Sequence, residues 1–303
     1  MQEPSQSQFD EGIHRSMDLF KRAQVGEVGA LTPVQPTRIF VALDGSSQDQ
    51  AVAVLVQRLQ KQHSVVVGYI DLALDGTSPA TLNGQKFERT EGEAYDKVLD
   101  CAAEFDADLL VFPCPFGRDF DAVGADSAGT IVDVLAARST IPFIAVRRTN
   151  PAPAQSLEHI RLIFTGENEA AHLTARWATG LLAKGGFLEM LLLVEEEFYG
   201  NFRETMQSID PEREVRYSDL KDALAKIYAP LHAALQHTSL DQGFRYRLHV
   251  QHEGALQELT PTNPETHAVM MALGLNRGHH DSISEVHDYI RRSPHPVLVV
   301  SVE

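Results

Sequence analysis

From Arg38 onward, short apolar runs alternate with segments of helical period. Ile39-Phe40-Val41-Ala42-Leu43 is unbroken and stops at Asp44-Gly45-Ser46-Ser47. Such a run predicts a strand covered on both faces, as in a parallel sheet. Ala51, Val54, Leu55, Val56 and Leu59 then fall at helical spacing between Gln48 and His63, and Val65 to Ile70 forms a second apolar run ending at Asp71. This is a strand-helix-strand unit, with a parallel pair and a right-handed crossover.

The alternation continues. Residues 72–92 read as loop, with Lys86-Phe87-Glu88-Arg89 as a short edge strand. Helices are expected at Glu93–Phe105 and Gly129–Arg138, and strands at Leu109–Phe112 and Ile141–Val146. Arg147–Ser156 is a Pro/Ala linker of the kind that separates domains. Beyond it come a strand at Ile160–Phe164, a helix at Glu169–Ala183 and a strand at Phe187–Val194. Glu195-Glu196-Glu197 reads as a solvated strand end. A long helix from Ser218 to His237 precedes strands at Phe244–Val250 and Ala268–Leu273, a helix at Ser282–Arg292 and a closing strand at Val297–Val300.

The endings Ile141-Pro142-Phe143-Ile144-Ala145-Val146 and His295-Pro296-Val297-Leu298-Val299-Val300 share a pattern and a proline position, the mark of an internal repeat. The halves are unequal. Asp71 to Leu109 is 38 residues and Val194 to Ala268 is 74, so the first half lacks a helix that the second keeps. The expected organisation is an extension at 1–37, a first domain at 38–148, a linker at 149–158 and a second domain at 159–303. In the extension Ile13, Met17 and Phe20 have the spacing of a short amphipathic helix.

Charge and composition narrow the function. The net charge of -16 opposes binding to nucleic acid or to an anionic membrane. No segment offers the roughly 18 apolar residues that a membrane helix needs. The first residues show no export signal, so a cytoplasmic setting is expected, with Cys101 and Cys114 as free thiols. The sequence contains no GxxxxGK[ST], GxSxG, His-x-Gly-His or GxGxxG after the first strand, and no zincin spacing around His279, His280, Asp281, His287 and His295.

Four pieces together resemble the universal stress protein family: Arg38-Ile-Phe-Val-Ala-Leu-Asp-Gly-Ser46, Gly68-Tyr69-Ile70-Asp71, Asp106 to Pro113, and the two closers. The resemblance implies two tandem Rossmann-like α/β domains with parallel sheets of strand order 3-2-1-4-5. It also implies an intramolecular pseudo-dimer joined through the closing strands, and leaves association into a homodimer open. ATP-binding members carry Gly, two residues, Gly, nine residues, Gly, then Ser or Thr. Gly117, Gly129 and Thr130 match the last three elements. Pro113 or Cys114 replaces the first, and eleven residues separate the two glycines. By resemblance, an adenine nucleotide such as ATP, with Mg²⁺, would be held by Asp44, Tyr69, Gly117, Gly129 and Thr130. The second half departs further: Thr165 replaces the Asp, Gly274 and Gly278 are three residues apart, and Ile283-Ser284 stands where Gly and Ser/Thr belong. Three functions remain open: a non-catalytic stress-response protein that senses the nucleotide, a module for an unidentified protein partner, and a slow ATP hydrolase using Asp119 and Asp121.

Overall fold

The computed structural model describes residues 29–73, 78–117, 128–147, 153–165, 170–194, 196–209, 216–252, 268–277 and 280–302. The first half contains β1 (Arg38–Leu43), α1 (Asp49–Gln62), β2 (Val66–Asp71), β3 (Gln85–Phe87), α2 (Ala94–Glu104), β4 (Leu109–Cys114), α3 (Thr130–Arg138) and β5 (Phe143–Arg147). A 3₁₀ turn, Pro153–Glu158, leads into the second half. There β6 (His159–Thr165), α4 (Ala171–Leu181), β7 (Phe187–Val194), α5 (Glu196–Ile209), α6 (Tyr217–Ile227), α7 (Ala229–Gln242), β8 (Arg245–His252), β9 (Met270–Asn276), α8 (His280–Arg292) and β10 (Val297–Val302) follow.

The strands form one ten-stranded sheet in the order β3-β2-β1-β4-β5-β10-β9-β6-β7-β8. Each half therefore has the order 3-2-1-4-5 in its own numbering, and all pairings within a half are parallel. The halves meet through the two closing strands, which run antiparallel with Val297 opposite Ala145, Leu298 opposite Ile144 and Val299 opposite Phe143. Joining these apolar strands removes two edges that would otherwise pair with foreign chains.

The strands read as continuous apolar runs because both faces are covered. Under α1, α4 and α7, one core combines Ile39, Val41, Leu55, Val111, Ile144, Leu162, Trp177, Leu235 and Leu298. Under α2, α3 and α8, the other combines Phe40, Ile70, Cys101, Phe112, Val132, Phe143, Leu273, Ile290 and Val299. Each core crosses the junction between the halves.

Three expectations change. The acidic run after β7 does not end a strand, since β7 stops at Val194 and Glu196 opens α5. Acidic residues suit the first turn of a helix, where they face the positive end of its dipole. The single helix from Ser218 to His237 is two helices meeting at Tyr228, with Pro230 at the start of α7. Proline lacks the N–H and clashes with the preceding turn, so it begins a helix rather than continuing one. The end of the Pro/Ala linker is a packed joint, with Pro153, Ser156 and Leu157 buried.

The difference between the halves takes a definite form. No helix among the described residues connects β2 to β3, whereas α5, α6 and α7 connect β7 to β8. The amphipathic stretch around Ile13, Met17 and Phe20 lies outside the described residues. From Gly29 the chain runs as a strap across the second half. Leu31 N–H donates to Thr238 Oγ1 at 2.8 Å, Val34 N–H to the Arg176 carbonyl at 2.9 Å, and Arg176 Nε to the Thr32 carbonyl at 2.8 Å. Gly180 lets the strap pass, because a Cβ there would sit 1.8 Å from the Val34 carbonyl oxygen. Overpacking of this kind costs about 1–3 kcal/mol. Gly180→Ala should destabilise the chain by that amount in urea unfolding and expose residues 29–37 to proteolysis. Unchanged stability would mean that the strap contributes nothing.

Candidate functional site

The candidate site lies at the carboxyl ends of β1 and β4, where ligands bind in open parallel sheets. Asp44 follows β1 and is only 7% exposed. Its Oδ1 accepts the Ser46 N–H at 2.8 Å, a local turn of the kind Asp favours. Its Oδ2 accepts the Gly117 N–H at 2.6 Å, which ties the β1 loop to the β4 loop. Gly117 has φ +73 and Gly129 has φ +83, a region that favours glycine. Gly129 packs against Pro115 and Phe116, and Gly117 lies beside Ile131 of α3. Gly129 is the residue before α3, and Thr130 is exposed at its first position. Helix starts present unpaired amides and a positive dipole end, which suit an anion.

The structure thus brings Asp44, Gly117 and Gly129 together, with Thr130 next in the chain. Tyr69 stands apart. It lies inside the ladder opposite Val41 and Lys86, and it packs half-buried against the core beneath α1. The end of β2 that reaches the loops is Asp71, opposite Leu43. Asp119 and Asp121 lie outside the described residues.

Asp49, Asp71 and Ser78 complete the site; Asp49 and Ser78 were not singled out from the sequence, and Asp71 only as the end of the second strand. Asp49, the first residue of α1, is fully buried. Its Oδ1 accepts the Asp44 N–H at 3.2 Å, and its Oδ2 accepts the Gly45 N–H at 2.8 Å and the Ser78 hydroxyl at 2.5 Å. Asp71 Oδ2 accepts the Ser78 N–H at 2.9 Å. Gly45 is pressed against Ala73, leaving no room for a side chain. Asp49 therefore joins the loops after β1 and β2, and Asp44 joins that assembly to the loop after β4. An Asp in the first turn of a helix reads from sequence as ordinary dipole pairing, which hid this role.

Burial pushes the Asp49 carboxyl up from 3.8 to about 6, with the Ser78 hydrogen bond opposing and the Asp44 carboxylate reinforcing. The folded chain then holds a proton that the unfolded chain releases. Stability contributed by this group is present below about pH 4 and lost as pH rises to about 6. The stability of the wild type relative to Asp49→Asn should therefore fall between pH 4 and pH 6 in urea titrations. A difference that rises over that window would contradict this environment.

Cys114, at the end of β4, is fully buried, and burial pushes its thiol up to about 12 despite Arg147 nearby. Thiolate is the reactive form, so Cys114 should react with a disulfide reagent only at the rate of unfolding. Fast modification of the native chain would show that the thiol is open to solvent.

The corresponding place in the second half is built differently. Gly274 lies within β9 opposite Val300, so it is not a loop glycine. Ile283 and Ser284 fall inside the first turns of α8 rather than before it. Ser282 Oγ accepts the Asn276 N–H at 3.1 Å, closing β9 onto α8. Gly278 lies outside the described residues, and the Thr165 side chain is not described. Elsewhere in this half, Glu189 is buried between Arg161 Nε at 2.6 Å and His249 Nε2 at 3.0 Å, with His159 Nε2 at 3.6 Å. Burial alone would raise its pKa, but the His159 ring nearby, the close contact with His249 and the Arg161 guanidinium hold it well below the usual range. Arg161 and Glu189 face each other across β6 and β7, so this cluster fixes the register of two strands.

A cavity of about 630 Å³ lies between the end of α1 and the start of β2, lined by Gln57, Lys61, His63, Val66 and Asn83 among others. It is at the opposite end of β2 from the Asp44 loops. The buried carboxylates and convergent loop amides make the carboxyl ends the stronger candidate.

Solved structures share this architecture. A universal stress protein from Archaeoglobus fulgidus DSM 4304 superposes with a TM-score of 0.58 at 12% identity, covering 89% of this chain and 97% of that chain. The chain has the universal stress protein fold. A putative universal stress protein from Pseudomonas aeruginosa UCBPP-PA14 gives 0.53 at 11% identity, covering 88% and 93%. A functionally unknown protein from Pseudomonas aeruginosa PAO1 gives 0.52 at 12% identity, covering 88% and 92%. No family model matches the sequence, and no curated protein matches it. The likeness covers both halves of this chain. Among the described residues, no helix is long and apolar enough to cross a membrane.

The residues present fit a nucleotide at its phosphate end, where two positive-φ glycines flank the start of α3. They fit less well beside it, because Pro113 and Pro115 supply no N–H and the Gly117 N–H is already given to Asp44.

Proposed function

We propose that the chain is a non-catalytic, cytoplasmic stress-response protein that binds an adenine nucleotide, with Mg²⁺, in its first half. The observation that carries this reading is the convergence of the Asp44 loop, Gly117, Gly129 and the start of α3 at the carboxyl ends of β1 and β4. The backbone amide of Thr130, in the first turn of α3, would receive the phosphates, and Mg²⁺ would offset the carboxylates of Asp44, Asp49 and Asp71. The nucleotide would bias the junction between the halves, since α3 meets α8 there, with His287 Nδ1 3.6 Å from Asp133 Oδ1.

The rival reading, a module for a protein partner without a nucleotide, draws support from the bond between Gly117 and Asp44. Thr130→Pro separates the two. It deletes one amide and one hydroxyl at the helix position that tolerates proline, and Gly129, with ψ 148, already has a backbone compatible with a following proline. At 100 times its dissociation constant, Mg²⁺-ATP should stabilise the wild type by about 2.7 kcal/mol. Thr130→Pro should keep the unliganded stability and lose most of that gain, and neither protein should release ADP. No stabilisation of the wild type by ATP, ADP or AMP would favour the interaction module.

A further inference from the structure

We infer that β8 is a docking edge for an extended, acidic segment of a partner protein, which would add to the sheet as a further strand. No residue of the nucleotide site takes part, so the two readings stand or fall separately.

β8 is the outermost strand on its side of the sheet, and among the described residues it pairs with β7 alone. An open strand edge presents a row of N–H and C=O groups that can take up another chain. The Arg245 N–H donates to the Gly186 carbonyl at 2.9 Å, so the backbone groups of Arg245, Arg247 and His249 turn toward β7. Those of Tyr246, Leu248 and Val250 turn away from it, because successive residues of a strand alternate. The other edge of the sheet is blunted by its brevity. There β3 has three residues, whereas β8 has eight.

The two faces of the edge define what fits it. Tyr246, Leu248 and Val250 pack against the core beneath α1, α4 and α7. The opposite face carries Arg245 and Arg247, both exposed, with the Arg245 guanidinium over the Phe187 ring. An added strand would set apolar side chains beside the first row and carboxylates beside the second. Opposite charges on neighbouring strands stabilise the pair, and like charges oppose it. A second copy of β8 is a poor occupant for that reason. In the antiparallel registers of greatest overlap, its Arg245, Arg247 or His249 would stand opposite Arg247. The net charge of -16 also keeps copies apart. Charges are screened beyond about 8 Å at physiological ionic strength, so the two guanidiniums set the field at this edge.

The test titrates the labelled full chain with a blocked peptide of alternating Glu and Val, matched in length to β8, and with an alternating Lys and Val peptide as control. Affinity is read by fluorescence anisotropy, and amide exchange by NMR. The acidic peptide should bind about tenfold more tightly than the basic one. It should slow exchange at Tyr246, Leu248 and Val250 and leave Arg245, Arg247 and His249 as they were. Arg245→Gln combined with Arg247→Gln should weaken the acidic peptide about fivefold without changing the urea midpoint. No binding of the acidic peptide, equal affinity for the two peptides, or protection without that alternation overturns the inference. Slow exchange at Tyr246, Leu248 and Val250 in the free chain also overturns it, since another segment or a second copy would then already cover the edge.

Discussion

The antiparallel pairing of β5 with β10 is the constraint on which the molecule depends. It turns two parallel five-stranded sheets into one, and it lets each core run across the junction without a seam. It also sets the direction of everything else. Because strands are parallel within each half and antiparallel at the join, the carboxyl ends of the two halves face opposite edges of the sheet. The Asp44 loops and the start of α8 at Ser282 therefore cannot form a common pocket. Each half carries its own site or none, and the contacts between the halves are made by α3, α8 and the paired closing strands. Arg147, at the end of β5, donates to the Ile290 carbonyl of α8 at 2.8 Å, so the join is secured by a buried cation as well as by apolar strands.

On this symmetric frame the two halves have diverged. On the α2 side of the sheet the first half packs Phe40, Phe87 and Phe105 with ring centroids 5.5–6.1 Å apart, a dry apolar corner. The second half places Arg161, Glu189, His159 and His249 on the same side of the sheet. Burying the Arg161 and Glu189 charges is tolerable because the two pair at 2.6 Å. The second half also keeps helices between its second and third strands, and one of these, α7, receives the strap together with α4. One half thus retains loops suited to an anion, while the other supplies the surface that anchors the chain's N-terminal side.

Much of the fold was legible in the sequence. Unbroken apolar runs such as Ile39–Leu43 and Val297–Val300 have no stable place except inside a covered parallel sheet, and their repeat gave the tandem plan. The matching closers gave the junction, since two apolar edge strands are stable only when paired. What stayed hidden depends on single residues whose meaning changes with context. Pro230 inside a helical period marks a break that periodicity averages over. Glu196 reads as the end of a strand until the fold shows that a helix begins there. Asp49 and Ser78 are 29 residues apart, and only the fold shows that they share a proton's worth of hydrogen bonding. Glu189 reads as an interruption in an apolar strand because its partners come from two other strands.

Backbone amide shifts of the isotopically labelled chain, recorded by NMR with increasing Mg²⁺-ATP, test the central claim most directly. The account predicts saturable shifts at Gly117, Gly129 and Thr130, with the amides around Ser282 in the second half unmoved. Shifts confined to the second half, or none at any nucleotide concentration, would contradict it.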